Sequence, residues 1–188
     1  AAHGARCRRP ARLAGDRHDL SAVWTPERHF GAFGGPYANP ALTSAAVAAV
    51  TERVAIRAGS LIAPLHHPVR IVEDWSMLDQ LSGGRIGLCF APGAQAAEFQ
   101  LARAQHADRH ALMHERVSQV RRLWAGDPWR QDELEVWPRP GPVQRDLPLW
   151  FACGGGPESF EAAGRAGAGV LTHLMGQTSE QLAVNLRR

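Results

Sequence analysis

The sequence predicts an α/β fold built on a parallel sheet, and two observations carry the prediction. Short runs of apolar and β-branched residues alternate with segments of helical periodicity, and Gly or Pro stands between most of them. Strands that alternate with helices in this way form parallel sheets with crossover helices. About five strands can be recognised, and periodicity leaves open whether the sheet is an open doubly wound one or a closed barrel.

The length of the chain bears on that choice. An eight-stranded (β/α) barrel takes about 250 residues, whereas this chain has 188. Residues 1–19 show weak periodicity, and we interpret them as a poorly defined N-terminal segment with at most one helix, over Ala11–His18. Residues 20–188 form one predicted domain. If that domain is a barrel, the visible strands are too few to close it.

The first elements of the predicted domain follow from short local patterns. Leu20–Trp24 is an apolar run that predicts a strand, and it leads into a Gly-rich loop at Gly31–Pro36. Apolar residues at helical spacing predict a helix over Pro40–Arg53. The β-branched residues of Val54–Ile62 predict the second strand.

The later elements continue the alternation. A helix begins at Pro68, because Pro suits a first turn, and ends before Gly83-Gly84. Ile86–Phe90 is a strand, residues 108–125 form a long helix with an apolar stripe that belongs to the core, and residues 127–146 are an extended connection. The remaining predicted elements are a strand, a helix, a strand and a last helix, at Leu147–Cys153, Pro157–Ala166, Gly169–Leu174 and Thr178–Arg188.

Composition excludes several classes of function. The formal charge is +3, and every one of the 21 basic residues is Arg, scattered among 18 acidic residues. A nucleic-acid-binding face would show clustered basic residues, so we expect no nucleic acid partner. No apolar run approaches the length of a membrane span, and we expect no membrane association. Three cysteines without close spacing fit a reducing compartment, which predicts the cytoplasm.

Several short motifs occur in a definite order along the chain. They are AVWTPERHF at Ala22–Phe30, RAGS at Arg57–Ser60, PLHHPVR at Pro64–Arg70, LDQLSGGR at Leu78–Arg85, LPLW at Leu147–Trp150 and LTHLMGQ at Leu171–Gln177. In this order and spacing they resemble the luciferase-like flavin-dependent monooxygenases. More narrowly, they are similar to the FMN-dependent branch found beside natural-product assembly lines, which make non-ribosomal peptides and polyketides.

The resemblance implies a (β/α)8 TIM-like barrel, shortened here to about five strands. It implies that reduced FMN binds at the carboxyl ends of the strands and is used with O2 to oxygenate a small-molecule or carrier-bound substrate. A separate flavin reductase would supply the reduced cofactor, and a homo-oligomer is compatible with the family. Two alternatives stay open: a truncated, non-catalytic flavin-binding remnant, and a deazaflavin-dependent oxidoreductase on the same barrel.

Arg28 and His29 are the candidate catalytic residues. They follow the first strand, at the end of the barrel where catalytic groups lie. By motif, Arg28 takes the place of a catalytic histidine of the light-emitting relatives, and His29 matches the histidine beside it. A cation or an imidazole there could stabilise negative charge on reduced flavin or donate a proton. The structural alternative is an ion pair between Arg28 and a nearby acid, with His29 packed in the fold.

The candidate cofactor residues are Gly59, Ser60, Ala91, Gly155, Gly156 and Ser159. The resemblance places Gly59-Ser60 under the flavin ring, joined by a cis peptide bond, and the glycine-rich turn at the FMN phosphate. Glycines at a helix N-terminus allow backbone amides to converge on a phosphate, and Ser159 adds a hydroxyl. Glu158 would repel a phosphate if its side chain turned inward. Without the resemblance, Gly59 is a strand bulge and the glycine turn a flexible connection.

Other residues suggest chemistry but are better explained by structure. His66-His67 has no acidic or cysteine partner at ligand spacing, so we expect no metal site. Asp79 and Arg85 suggest a structural ion pair at a helix end. The family has Ala-Ser-Gly-Trp after the third strand, whereas this chain has Ala91 to Ala94 as Ala-Pro-Gly-Ala. That change removes a hydroxyl, an indole and a backbone donor from the wall of the expected site.

Overall fold

The computed structural model describes residues 15–31, 35 and 37–187. Seven strands occur in it, namely β1 (Ala22–Thr25), β2 (Ala55–Ile62), β3 (Ile86–Ala91), β4 (Trp129–Gln131), β5 (Leu134–Val136), β6 (Leu149–Cys153) and β7 (Gly169–Thr172). Five of them form one sheet in the order β1-β2-β3-β6-β7, and every neighbouring pair is parallel. The short strands β4 and β5 pair with each other as an antiparallel hairpin.

Within the described residues, five α-helices have both ends defined, namely α1 (Pro40–Ala48), α2 (Pro68–Ser82), α3 (Arg109–Trp124), α4 (Pro157–Arg165) and α5 (Ser179–Asn185). Their ends carry the expected local signals. Asn39 accepts hydrogen bonds from two amides of the first turn of α1, and Pro opens α2 and α4. Gly83 ends α2 with a φ of 67°, a left-handed conformation that favours Gly.

The strand order decides between the two sheet types that the sequence left open. A doubly wound sheet reverses its strand order at a switch point and carries helices on both faces. Here the main sheet adds strands in chain order without a reversal. Because parallel crossovers are right-handed, such an order places every crossover helix on the same face. The arrangement is that of a barrel wall.

The two faces of the sheet have different compositions. Residues such as Ala58, Leu88 and Phe151 are buried and belong to one apolar cluster with side chains of α2 and α3. Since side chains alternate along a strand, their neighbours lie on the opposite face, which we call the inner face. It carries the residues Trp24, Arg57, Gly59, Gly87, Cys89, Ala91, Trp150, Ala152, Gly169 and Leu171.

Most predicted elements are present with shifted ends. The helix predicted over Pro40–Arg53 ends at Ala48, and the strand predicted over Leu20–Trp24 begins at Ala22. The predicted extended connection 127–146 contains the β4–β5 hairpin, which has charged residues at its turn and no strong apolar alternation. Of the helix predicted over Ala11–His18, residues 15–17 are helical and residues 11–14 lie outside the described residues.

The predicted ion pair between Asp79 and Arg85 is wrong. The buried carboxylate of Asp79 accepts hydrogen bonds from the amides of Val143 and Gln144, at 2.6 and 2.7 Å. The guanidinium of Arg85 instead donates to the carbonyl oxygens of Thr51, Ser82 and Val54. Both side chains therefore stabilise the fold, but Asp79 binds backbone amides and Arg85 binds backbone carbonyls of different segments.

One further observation concerns the helices. Within the described ranges, no helix combines the length and the hydropathy that a membrane crossing requires.

Candidate active site

The carboxyl ends of the parallel strands bring the candidate residues to one edge of the sheet. Arg28 and His29 follow β1, Ser60 lies near the end of β2, Ala91 ends β3, and the Gly154–Ser159 turn follows β6. In β/α barrels this edge carries the functional loops. The sheet therefore assembles residues that are far apart in the sequence.

Glu27 lies at this edge, in the loop after β1, and is completely buried. Its Oε1 atom accepts hydrogen bonds from His29 Nε2 at 2.9 Å and from His66 Nε2 at 2.7 Å. Its Oε2 atom accepts a hydrogen bond of 2.7 Å from the amide of Ile62. One carboxylate therefore joins the loop after β1 to the end of β2 and holds two imidazoles; we call Glu27, His29 and His66 the Glu27 cluster.

The charge of Glu27 is maintained by its partners. Burial is the largest single influence and raises the pKa of the carboxyl group, but hydrogen bonds and charge from His66, the Ile62 amide and His29 together outweigh it. The pKa of Glu27 is therefore lowered. An ionised carboxylate can only accept hydrogen bonds, so each histidine must carry its proton on Nε2. In a neutral imidazole, Nδ1 is then left as a proton acceptor.

Arg28 does not form the ion pair that the sequence offered as an alternative. Its Nη1 atom donates a hydrogen bond of 2.8 Å to the backbone carbonyl of Glu27, and no acid among the described residues pairs with it. The amide of Arg28 donates to the carbonyl of Tyr37 at 2.8 Å. His29 has 11% of its side chain exposed and His66 has 31%. Both imidazoles thus combine a fixed partner with partial access to solvent.

The Gly59–Ser60 peptide bond is cis, as the family resemblance implies. The carbonyl of Ser60 accepts a hydrogen bond of 3.2 Å from the amide of Glu27. Gly59 lies against Trp24, so closely that an added Cβ atom would stand 2.9 Å from the indole. The register of β2 against β3 shifts between Gly59 and Leu61. The bond and the Glu27 cluster are therefore parts of one connected structure.

The segment after β3 takes a compact form of its own. Gly93 has a φ of 89°, and an added Cβ atom would come within 3.0 Å of both Ile62 and Phe99. The buried carboxylate of Glu98 accepts hydrogen bonds from the amides of Ala94 and Gln95. Backbone packing and a carboxylate cap therefore shape the stretch that departs from the family pattern, and Ala91 precedes it at the end of β3.

The glycine turn after β6 borders a cavity of about 500 Å³. The cavity is lined by residues of α3 and by the turn itself, with Gly154, Gly156 and Ser159 among them. Gly155 has a φ of 112°, which favours Gly. The hydroxyl of Ser159 already donates to the carbonyl of Gly156 at 2.7 Å, so it must rotate before it can donate to a ligand.

Glu158 also faces this cavity. One of its carboxylate oxygens stands 3.2 Å from the position that a Cβ atom on Gly156 would take. The side chain is exposed and can move away, but in the structure it occupies the side of the turn where the sequence predicts a phosphate. The inward orientation that would repel an anion is the one observed.

Comparison with known proteins identifies the family. Residues 5–188 match the family described as luciferase-like monooxygenase, which is almost the entire chain. The chain belongs to the luciferase-like monooxygenase family.

Two relatives show how much of a luciferase-like protein is present. The oxygenase component of the flavin-dependent trigonelline monooxygenase of Acinetobacter baylyi is 30% identical over 178 residues, which are 89% of this chain and 49% of that protein. The crystal structure of monooxygenase RslO1 from Streptomyces bottropensis is 32% identical with a TM-score of 0.81, and the match covers 93% of this chain and 55% of that one. The chain spans about half the length of these relatives.

A more distant structure shares the fold. The oxygenating constituent of 3,6-diketocamphane monooxygenase from Pseudomonas putida, solved in complex with FMN, has a TM-score of 0.73 at 16% identity over 86% of this chain. Together with the strand order, these likenesses confirm the predicted fold class, a TIM-like luciferase barrel of which five parallel strands are present.

Sequence reasoning missed the roles of Glu27 and His66 in this luciferase-like site. Glu27 stands inside the motif that contains Arg28 and His29. In extended backbone, residues two positions apart carry their side chains on the same side, so this spacing could have indicated a contact between Glu27 and His29. The sequence around His66 suggests only a metal ligand. The contact of His66 with Glu27 spans 39 positions, and local pattern reasoning cannot detect such a pair.

Proposed function

We propose that this chain provides the flavin-binding part of a monooxygenase that uses reduced FMN and O2 to oxygenate a small organic substrate. The observation that carries the proposal is the Glu27 cluster at the carboxyl edge of a luciferase-type sheet. Bound reduced FMN would supply the activation of O2. The protein would supply position, charge and proton transfer.

The inner face has the shape that a flat ring requires. Gly59 and Ala91 lie on the inner face near the carboxyl edge and carry little or no side chain. Close approach of a ring to backbone requires such small residues. We therefore assign the isoalloxazine contact to Gly59, Ser60 and Ala91.

The cavity at the glycine turn would hold the phosphate end of the cofactor. α4 begins at Pro157 directly after the glycines, and the amides at a helix N-terminus favour an anion. Gly155, Gly156 and Ser159 belong to the turn and would contribute backbone amides. The Ser159 hydroxyl would add one donor after it rotates away from the Gly156 carbonyl. Glu158 must swing out, because its carboxylate would otherwise face the phosphate.

His29 and Arg28 would act on charge and protons near the ring. Because Glu27 holds both imidazoles by Nε2–H, the Nδ1 atom of a neutral His29 can accept a proton or pass one on. His66, which shares Glu27 and is more exposed, would exchange protons with solvent. The guanidinium of Arg28 would stabilise negative charge on reduced flavin.

The partners of the reaction follow from the same proposal. The similar protein from Acinetobacter baylyi is an oxygenase component, which supports a separate flavin reductase as the source of reduced FMN here. The substrate would be a small molecule or a carrier-bound acyl group from a natural-product assembly line. A homo-oligomer in the cytoplasm is the state that we expect.

The test is a titration of the purified protein with FMN and with riboflavin, which lacks the phosphate. We expect fluorescence quenching by both, with tighter binding of FMN. Glu158→Gln should strengthen FMN binding about threefold, since one repulsive charge is removed at partial exposure, and should leave riboflavin binding unchanged. Glu133→Gln, at the exposed turn between β4 and β5, is the matched control and should change neither.

Each negative result has a definite meaning. Absence of flavin binding contradicts the proposal, and equal affinity for FMN and riboflavin removes the phosphate site from it. Flavin binding without oxygen uptake in the presence of NADH and a flavin reductase favours the non-catalytic remnant. Preferential binding of a deazaflavin favours the other oxidoreductase class.

A further inference from the structure

Two histidines of α3 line the cavity beside the glycine turn. His110 and His114 stand one helical turn apart, so their side chains lie on the same face of α3. That face borders the cavity of about 500 Å³, which Gly154, Gly156 and Ser159 of the turn border as well. The two imidazoles therefore share one cavity with the turn to which the phosphate of FMN is assigned.

The packing of α3 sets the positions of both imidazoles. Met113 and Val117 are buried in the core and belong to the stripe by which α3 packs on the sheet. This stripe fixes the rotation of the helix about its axis, and so fixes the face that His110 and His114 share. The ring of His114 also lies against Phe151 of β6, with centroids 5.6 Å apart. A packed helix therefore holds the two histidines at the cavity.

The surroundings of His110 favour an anion. Partial burial, followed by repulsion from Arg109, His114 and His106, lowers the pKa of His110. The neighbours that oppose protonation of His110 would attract a phosphate dianion. A bound dianion would in turn favour the charged imidazolium. Binding of a phosphate and uptake of a proton therefore support each other at this site.

The other ionisable groups around the cavity do not provide this coupling. The carboxylate of Glu158 opposes a phosphate, and a protonated imidazole on α3 would offset that repulsion. The thiol of Cys153, next to Ser159, adds no charge, because burial raises its pKa. Of the residues that line the cavity, His110 and His114 are the ones whose type changes charge near neutral pH.

We infer that His110 and His114 bind the phosphate of FMN as imidazolium ions, so that protons are taken up when the cofactor binds. The inference rests on the proposed function, because it adds the α3 side to the phosphate site assigned at the glycine turn. The amides that begin α4 keep their polarity at every pH, whereas the imidazoles lose their charge as the pH rises. Binding of FMN should therefore weaken at alkaline pH.

The first test compares FMN with riboflavin by fluorescence titration. Binding of FMN to the 188-residue protein should weaken about threefold or more between about pH 6.5 and about pH 8.5, a range in which a phosphate monoester is mainly a dianion. Riboflavin carries the same ring without the phosphate, so its binding should stay constant. Calorimetry near neutral pH, in buffers of different ionisation enthalpy, should show proton uptake with FMN and none with riboflavin.

Variants assign the effect to the two imidazoles. The double variant His110→Gln/His114→Gln should bind FMN about threefold more weakly at about pH 6.5, without proton uptake and with unchanged riboflavin binding. His110→Arg carries a permanent cation and should keep FMN binding tight at about pH 8.5. His18→Gln, at an exposed position before β1, is the matched control and should behave like the unmodified protein. A chelator in the buffer keeps a metal ion from occupying the histidine pair.

A second measurement needs no flavin. Inorganic phosphate should raise the pKa of His110, which is read from its imidazole resonance in NMR titrations of the unmodified protein. Equal affinity for FMN and riboflavin at every pH, FMN binding without proton uptake, or no response of His110 to phosphate overturns the inference. If neither flavin binds while phosphate still raises the pKa of His110, the proposed function fails and the anion site on α3 stands.

Discussion

At the scale of single residues, Glu27 connects more of the candidate site than any residue predicted from the sequence. Its partners come from the loop after β1, the end of β2 and the turn before α2. Because its pKa is lowered in the folded protein, its charge stabilises the fold above the ordinary carboxyl pKa of 4.5. That contribution is lost as the pH falls through the lower pKa of the folded state.

Glu27→Gln should therefore lower the free energy of unfolding by about 2 kcal/mol at neutral pH, since charge-assisted hydrogen bonds become neutral ones. The difference from the unmodified protein should shrink as the pH falls below about 4.5. Thermal melts between neutral and acidic pH measure it. Glu133→Gln, exposed at the hairpin turn, serves as the control and should leave the pH profile unchanged. A constant difference at all pH values would contradict this role for Glu27.

The sequence could predict positions at this scale but not pairings. The motif around Arg28 and His29 located the edge correctly, and the cis bond at Gly59–Ser60 was expected from the resemblance. The Ile62 and His66 contacts of Glu27 span 35 and 39 positions and depend on strand register, which no local pattern specifies. The stacking of Arg57 on Trp150 also depends on strand register, since these residues belong to β2 and β6.

At the scale of elements, Asp79 attaches the long connection before β6 to the end of α2. Its carboxylate accepts from the amides of Val143 and Gln144 and from the side-chain amide of Gln144, at 2.6 to 2.7 Å. Gln144 also accepts, through its carbonyl, a hydrogen bond of 3.0 Å from Trp124 at the end of α3. The connection is therefore attached to α2 through a buried carboxylate and to α3 through an indole.

Asp79→Ala should cost about 3 kcal/mol or more of stability, because these amide donors lose their acceptor in a buried setting. Urea denaturation measures the change. Asp127→Ala removes an exposed carboxylate that pairs with Arg122, and it should cost less than about 1 kcal/mol. Similar losses in the two variants would show that the Asp79 contacts do not hold the connection.

The elements themselves were largely predictable from local chemistry. Proline at first turns, glycine at helix ends and β-branched runs marked α2, α4, β2 and β3 close to their observed bounds. The β4–β5 hairpin was not, since its strands have three residues each and its stability depends on contacts such as that of Trp129 with His67, 4.9 Å between ring centroids. Short strands stabilised by tertiary packing leave a weak periodic signal.

At the scale of the whole molecule, the strand order carries the information that composition and periodicity lacked. Alternating strands and helices are common to barrels and doubly wound sheets, and only the order β1-β2-β3-β6-β7 separates them. The order depends on which strands pair across long separations. The family resemblance supplied it indirectly, through the fold that it implied.

The packing of the whole sheet also predicts the behaviour of its thiols. Cys89 and Cys153 are free and buried, and burial raises the pKa of both. Because the thiolate is the reactive form, neither should react with a thiol reagent in the native protein. In a Cys7→Ser variant, we expect labelling of both thiols only as fast as the protein unfolds. Rapid labelling under native conditions would contradict the packing of β3 and β6.

The attachment of the connection at Asp79 also affects how the chain can be lengthened. The residues that join the connection to the fold lie towards its ends, at Trp129 and at Pro140 to Gln144, whereas the turn between β4 and β5 is exposed. Guest sequence placed between Asp132 and Glu133 would leave those attachments and the parallel sheet intact. The hairpin is thus a natural position for an epitope or a fluorescent reporter.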